Sequence, residues 1–317
     1  MENKKIKVLS LFDGMSCGQI ALNRVGFNIT EYLASEIDKY AKLITQKNYP
    51  NTKQIGNVLE VKGNDLIGVD LLIGGSPCQG FSNAGKGLNF EDPRSKLFFE
   101  FVRLLKECKP KYFLLENVRM KKEWVKIITD LLGVEPIVIN SSLVSAQNRL
   151  RYYWTNIPNV QQPIDKKIVL ADIVEVPYDV KVSKKGVYKK FQDKASCLTA
   201  GGNSGGNHSD MDLLGIRKDK LIHVGTVSDI KGIETIKRVY SIHGKCPTLT
   251  TCEGGHRQPK IALNDYEYRR LTPLEFERLQ TVPDNYTIGV SNTQRYKMLG
   301  NGWTVDVLAH IFKNIKL

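Results

Sequence analysis

What most constrains this chain is a rhythm in its first half. Short apolar runs, KVLSLF, YLASEI, VDLLIGGS, KYFLLENV and EPIVINSSLV, alternate with stretches whose apolar residues recur at helical spacing, CGQIALNRVG, DKYAKLITQKNY, RSKLFFEFVRLLKEC and KKEWVKIITDLLG. A strand covered on both faces reads as nearly continuous apolar sequence, and a connection long enough to hold a helix returns the chain parallel to its start. The expectation is an α/β architecture, a parallel sheet covered by helices. Ligands of such sheets collect outside the carboxyl ends of the strands, which directs attention to the loops after Phe12, Glu36, Gly74 and Leu115.

The rhythm stops after IPNVQQP, where Pro158 and Pro163 break it, and residues 181–260 are rich in Lys, Gly, Thr and turn signals with no helical stretch of comparable length. A second, smaller unit is expected there. It contains an echo, CLTAGGNSGG at 197–206 and TLTTCEGGHR at 248–257, that reads either as two related loops or as coincidence. Helical pattern returns in TPLEFERLQTV, with Thr272 as N-cap, Pro273 at the first helical position and Glu275 at the capping-box position, and again over residues 303–315.

With 317 residues, 41% of them hydrophobic and 25% charged, the chain has enough apolar material for a folded core and is too apolar for a disordered polymer. The formal charge of +13 fits a polyanionic partner, nucleic acid ahead of an anionic membrane, although lysines on solvated faces give the same count. The apolar run in MENKKIKVLSLF is too short for a signal peptide and no later run is long enough to span a bilayer, so a cytoplasmic location without membrane attachment is expected. Cys17, Cys78, Cys108, Cys197, Cys246 and Cys252 include no CxxC pair, which leaves reduced thiols and no metal as the expectation.

Several residues could carry chemistry. Cys78 sits beside Pro77 in GGSPCQGFS, a glycine-lined turn after a buried strand, although an arbitrary cysteine is more often a small buried hydrophobe. Glu116 closes the next strand, behind Phe113, Leu114 and Leu115; alone it reads as an ordinary strand-end carboxylate, but desolvation there is the setting in which a carboxyl holds a proton near neutrality. In QNRLR, Gln147, Arg149 and Arg151 share a face at strand spacing and could face solvent, make salt bridges or hold a phosphate or a carbonyl. LFDGMSCG joins a strand to a helix with Gly14 and Gly18, and Glu36, closing the second strand, stands where a dinucleotide site binds ribose hydroxyls.

These pieces, in this order, resemble the DNA (cytosine-5) methyltransferase family over nearly the whole chain outside residues 160–245. LFDGMSCG is similar to the family's cofactor loop, GGSPCQGFS to its nucleophile loop, ENV to its glutamate motif and QNRLR to its arginine motif. The helix RRLTPLEFERLQTVP and the segment LGNGWTVDVLAHIF, with Asn301, complete the set. SCGQ, VSAQNRLRYYWTNIP and the tail resemble especially the branch containing the animal de novo methyltransferases. Two departures stand out: Ser16 and Cys17 occupy positions where the family commonly has glycine, and Asn57 in GNVLEV replaces an Asp that faces the adenine amino group, keeping an acceptor without the charge.

The resemblance implies a Rossmann-like S-adenosylmethionine-dependent methyltransferase sheet with a smaller, loop-rich target-recognition domain, divided as 1–160 catalytic, 161–268 target recognition and 269–317 a return segment completing the catalytic domain. It implies Cys78 as nucleophile at carbon 6 of a flipped-out cytosine, Glu116 at ring nitrogen N3 and Arg149 at the ring carbonyl. Phe12, Asp13, Gly14, Glu36, Ile37, Asn57, Pro77, Asn301, Trp303 and Val305 would bind S-adenosylmethionine. Double-stranded DNA, as partner of a chain expected to be monomeric, would meet Gln79, Ser82, Gln147, Arg151, Lys184, Lys185, Lys189 and Lys190. Competing readings are a transfer RNA methyltransferase of the same chemistry, a silent DNA-binding relative and a dinucleotide oxidoreductase, the last leaving PCQ, ENV and QNRLR unexplained. Amino-group methyltransferases are disfavoured by the lack of an Asp/Ser/Asn-Pro-Pro-aromatic motif.

Overall fold

A computed structural model describes residues 4–76, 93–175, 185–187, 189–190 and 221–317. Strands β1 (Lys5–Leu11), β2 (Asn28–Ser35), β3 (Lys53–Gln54), β4 (Leu71–Gly74), β5 (Tyr112–Val118), β6 (Ile137–Asn140) and β7 (Leu150–Thr155) form one sheet in the order β3-β2-β1-β4-β5-β7-β6. Helices α1 (Cys17–Arg24), α2 (Lys39–Asn48), α3 (Pro93–Cys108) and α4 (Lys122–Leu132) lie in the connections. Along β1 the side chains alternate between two cores. Ile6 and Val8 join a cluster with α1 and α2, whereas Leu9 and Leu11 join one with α3 and α4. The same period of two divides Leu71 and Ile73 from Leu72, and Tyr112 and Leu114 from Phe113 and Leu115. This two-sided burial is why these strands read as continuous apolar runs.

The expected all-parallel sheet needs one correction. The pairs β1 to β2, β2 to β3, β1 to β4 and β4 to β5 are parallel, but β7 runs antiparallel to both β5 and β6. Only a 3-10 turn at Ser141–Leu143 and a short irregular stretch separate β6 from β7, and no crossover helix carries the chain back to the other end of the sheet. QNRLR is also not continuous strand, because Gln147 and Arg149 precede β7 and only its last two residues belong to it.

The region expected to be loop-rich forms a second sheet of short strands, β8 (Lys185–Val187), β9 (Lys189–Lys190), β10 (His223–Thr226), β11 (Arg238–Tyr240), β12 (Lys260–Ala262) and β13 (Glu267–Arg270), in the order β8-β13-β12-β11-β10-β9. Val227, Ile230, Val239 and Tyr268 make its own small core, while Tyr240, Leu249, Ile261 and Leu271 reach into the main one. Lys245, almost wholly buried, ties the two regions by donating to the carbonyls of Ser142, Ser145 and Ile168.

The chain then returns through α5 (Pro273–Leu279), α6 (Asn292–Asn301) and α7 (Val305–Phe312). The cap expected from sequence is formed: Glu275 N–H donates to Thr272 Oγ1 at 3.2 Å, and Thr272 N–H donates to Glu275 Oε2 at 2.8 Å. Glu275 also accepts both guanidinium nitrogens of Arg269, at 2.8 and 2.6 Å, in a pair wholly removed from solvent. Among the described residues no helix is long and apolar enough to cross a membrane.

Candidate active site

The carboxyl ends of β1, β2, β4 and β5 open into a cavity of about 710 Å³, as expected of a parallel sheet. Its walls bring together Phe12, Asp13, Gly14, Glu36, Ile37, Asn57, Glu116, Arg149, Arg151, Asn301 and Trp303, which are far apart in sequence. Gly75, Lys297, Thr250, Thr251 and Gly300 also line it. Sequence reasoning misses these five, although TLTT, in the second half of the internal echo, carries both threonines.

The β1 to α1 turn is held from inside. Phe12 and Ser16 adopt φ of 57° and 62°, a left-handed conformation that side chains enter only when their surroundings impose it. Asp13 imposes it here. Its carboxylate accepts from Ser10 Oγ at 2.6 Å, from Tyr32 OH at 2.8 Å and from the Ser16 hydroxyl. Burial pushes its pKa up to about 6, against the lowering effect of those hydroxyls. Asp13 therefore shapes the loop from behind. Glu36 is the carboxylate nearer the cavity: Oε2 accepts from Gly14 N–H at 2.7 Å, and Oε1 from Ile37 and Asp38 N–H at 2.7 Å. Beside it Ile37 is 74% exposed, an apolar face left uncovered in a polar mouth. Asn57 caps a 3-10 turn, its Oδ1 accepting from Leu59 N–H at 3.2 Å.

On the opposite wall Glu116 is buried at 8% exposure, with Arg151 Nε 2.9 Å from Oε1 and the Trp303 indole N–H donating to Oε2 at 3.0 Å. The Arg151 contact is an ion pair rather than an aligned hydrogen bond. Residue 75 must be glycine for this arrangement, since a Cβ there would lie 2.8 Å from Trp303 Nε1. The two arginines of QNRLR thus part company. Arg149 donates to the carbonyls of Leu249, Gly300 and Gly302 at 3.4, 3.2 and 3.0 Å, and burial, with Arg151 nearby, pushes its pKa down to about 10. It is Arg151, expected from sequence to meet DNA, that stands against Glu116.

Gln147 is wholly buried, its side-chain amide meets no partner among the described residues, and its backbone bridges to Cys246. Val305 opens α7, donates its N–H to the Gln280 carbonyl at 2.9 Å, and is buried outside the cavity lining. Pro77, Cys78, Gln79, Ser82 and Lys184 lie outside the described residues, and of Lys185, Lys189 and Lys190 only the backbone is described, in β8 and β9. The cavity wall does include a cysteine, Cys17, but burial pushes its thiol up to about 12, which leaves it a wall residue rather than a nucleophile. Among the described residues no cluster could hold a metal ion.

The sequence matches the family described as C-5 cytosine-specific DNA methylase over residues 6–317, and the chain belongs to that family. It is 30% identical to the type II methyltransferase M1.ScrFI of Lactococcus lactis subsp. cremoris, over 96% of this chain and 76% of that one. It is 28% identical to the orphan methyltransferase M.SPBetaI of Bacillus phage SPbeta, over 98% and 97% of the two chains. The fold is shared with the Entamoeba histolytica methyltransferase EhMeth, at TM-score 0.70 and 17% identity over 99% and 100% of the chains. It is shared also with the S. pombe Dnmt2 methyltransferase, at TM-score 0.63 and 16% identity over 97% of each. The chain is thus a C-5 cytosine DNA methyltransferase, a class that acts on DNA and implies a methyl donor of the S-adenosylmethionine type.

Proposed function

We propose that the protein methylates carbon 5 of a cytosine flipped out of a specific double-stranded DNA sequence, with Cys78 as transient nucleophile and S-adenosylmethionine as donor. The observation that carries this reading is the pairing of two unlike walls in one cavity. Glu36 with exposed Ile37 forms one, and Glu116 with Arg151 the other. The donor fits the first wall: Ile37 offers an apolar face for a flat ring, Glu36 an anionic acceptor for hydroxyls, and Asn57 an acceptor for an amino group. When bound, S-adenosylmethionine supplies an electrophilic methyl group.

The chain's own residues must make cytosine able to take it. A thiol of ordinary pKa, about 8.5, is already a few per cent ionised near neutrality, so full ionisation of Cys78 gains roughly 30-fold, about 2 kcal/mol. Enzymes supply about 8 kcal/mol or more. The larger share falls to groups that absorb negative charge as the thiolate adds to carbon 6. Glu116 would hold a proton at N3, and Arg151, rather than Arg149, would stabilise the ring carbonyl, a reading supported by Arg149 being already engaged by three backbone carbonyls while Arg151 stands against Glu116. A base then removes the hydrogen from carbon 5 and the Cys78 thiolate leaves, restoring the ring. Residues 161–268 would serve as the target-recognition domain, between a catalytic part at 1–160 and its completion at 269–317. Lysines 184, 185, 189 and 190 would meet phosphates there.

DNA carrying 5-fluorocytosine at the target tests the reading. Fluorine cannot leave as a proton, so a protein–DNA adduct should survive denaturing electrophoresis, require the donor and be absent from Cys78→Ala. Methylation of ordinary DNA with no adduct would refute the addition and elimination scheme, and adducts on transfer RNA alone would reassign the substrate.

A further inference from the structure

Glu116 lies near the carboxyl end of β5 while Trp303 lies in the turn between α6 and α7, yet the indole N–H reaches Glu116 Oε2 at 3.0 Å. Both residues are buried, at 8% exposure each. The indole is anchored through its neighbours: the Gly302 carbonyl accepts from Arg149 and from Gln280 Nε2, each at 3.0 Å. On its other side Thr304 Oγ1 donates to Gln280 Oε1 and accepts from Ser141 Oγ, both at 2.8 Å. A turn held this tightly presents the indole as a fixed donor. Room for it exists only because Gly75 has no side chain. Trp303 also lines the same cavity as Glu36 and Ile37.

We propose that Trp303 is a positioning residue for Glu116, beyond any part it takes in binding the donor. A carboxylate turns freely about its terminal bond, where the torsional wells are broad. Arg151 at one oxygen leaves that rotation partly open, and a second donor at the other oxygen closes it. The carboxylate then meets the incoming ring in one orientation, and misplacement by about 1 Å at a reacting group is enough to cost about 100-fold in rate. Because one indole lines the cavity that would take the donor and also holds the carboxylate, the turn between α6 and α7 links the two halves of the site.

The inference rests on Glu116 addressing the base, and its test separates the two ideas. Trp303→Phe keeps an aromatic wall and removes the N–H; replacement of Trp303 by benzothienylalanine keeps the ring shape and removes only the N–H, which guards against a folding defect. Both should lower the single-turnover rate at saturating donor by about 10- to 100-fold. Donor affinity by calorimetry should stay within about threefold and DNA affinity should not change. In a Glu116→Gln background either replacement should add little, since the partner it orients has already lost its function. A weaker donor affinity with an unchanged rate at saturation would make Trp303 a wall residue only. An equal loss in the Glu116→Gln background would show that it acts independently of Glu116. Failure of the underlying reading has a different signature, a wild-type protein that never traps on 5-fluorocytosine DNA.

Discussion

Replacing Arg149 and Arg151 separately by Met should yield opposite phenotypes. Arg149→Met leaves the carbonyls of Leu249 and Gly300 without their guanidinium donor, while the Gly302 carbonyl keeps Gln280. Two buried acceptors left unsatisfied cost about 1–3 kcal/mol each, or roughly 4 in all. Against this, holding the guanidinium charged where its pKa has fallen from 12.5 to about 10 corresponds to about 3 kcal/mol of desolvation that Met does not incur. The net loss of stability is about 1 kcal/mol, and because Gln280 and Thr304 still hold the turn that carries Trp303, the rate of the folded enzyme should change by less than about threefold. Arg151→Met instead strands the Glu116 carboxylate. Removing one partner of a buried pair costs about 3–5 kcal/mol, and the lower figure applies because both side chains, 11% and 10% exposed, border the cavity and can draw water. If that stabilisation is needed in the transition state, about 3 kcal/mol becomes a loss of roughly 100-fold in rate. Urea denaturation followed by tryptophan fluorescence measures the first quantity, and single-turnover methyl transfer with enzyme in excess measures the second. An Arg149→Met protein of undiminished stability and crippled rate, beside an active Arg151→Met, would refute the reasoning and return the ring carbonyl to Arg149.

Asp13 should make stability fall as pH rises. Its folded pKa near 6 exceeds the unfolded value of 3.8, so the native state holds the extra proton between them, and about 3 kcal/mol should be lost on going from below pH 4 to above pH 6. Asp13→Asn should flatten that part of the slope in urea titrations, and an identical slope would place the titration elsewhere. Neutralising Lys184, Lys185, Lys189 and Lys190 together should weaken binding to all DNA sequences and reduce the salt slope by about 0.9 for each phosphate no longer neutralised. An unchanged slope would make the run a solvated face. Gly300→Ala should cost about 3 kcal/mol, because the new Cβ would lie 2.2 Å from the Thr250 carbonyl oxygen and one backbone must give way; unchanged thermal stability would contradict that close approach. Asn57→Asp keeps an oxygen for the Leu59 cap and adds a charge facing an amino donor, so calorimetry should show the methyl donor binding a few-fold more tightly. No gain, or a weakening, would remove Asn57 from the donor site.

The features legible in the sequence are those whose cause is local. KVLSLF announces a doubly covered strand because Val8 serves one core and Leu9 and Leu11 the other, and Thr272, Pro273 and Glu275 announce a helix start through contacts within one turn. Asp13, Glu36 and Glu116 can be placed for the same reason, since each lies at or near the carboxyl end of an apolar strand and these ends converge on the cavity. Helix α6 is hidden because its buried residues, Met298, Leu299 and Gly300, are consecutive and leave no helical apolar period to read. The reversal of β7 is hidden because strand direction is decided by the length and geometry of a connection, to which apolar alternation is blind. Arg149 and Arg151 show the limit most sharply. Two residues apart, they carry the same side chain and the same local pattern, yet one is captured by carbonyls from Leu249 and from the turn after α6, and the other meets Glu116 across the β5 to β7 pairing. What separates them is the packing of Leu249 and of the α6 end, Gly300 and Gly302, onto Arg149. Their chemical division of labour is thus a property of that packing, and the paired Met variants test it along with the arginines.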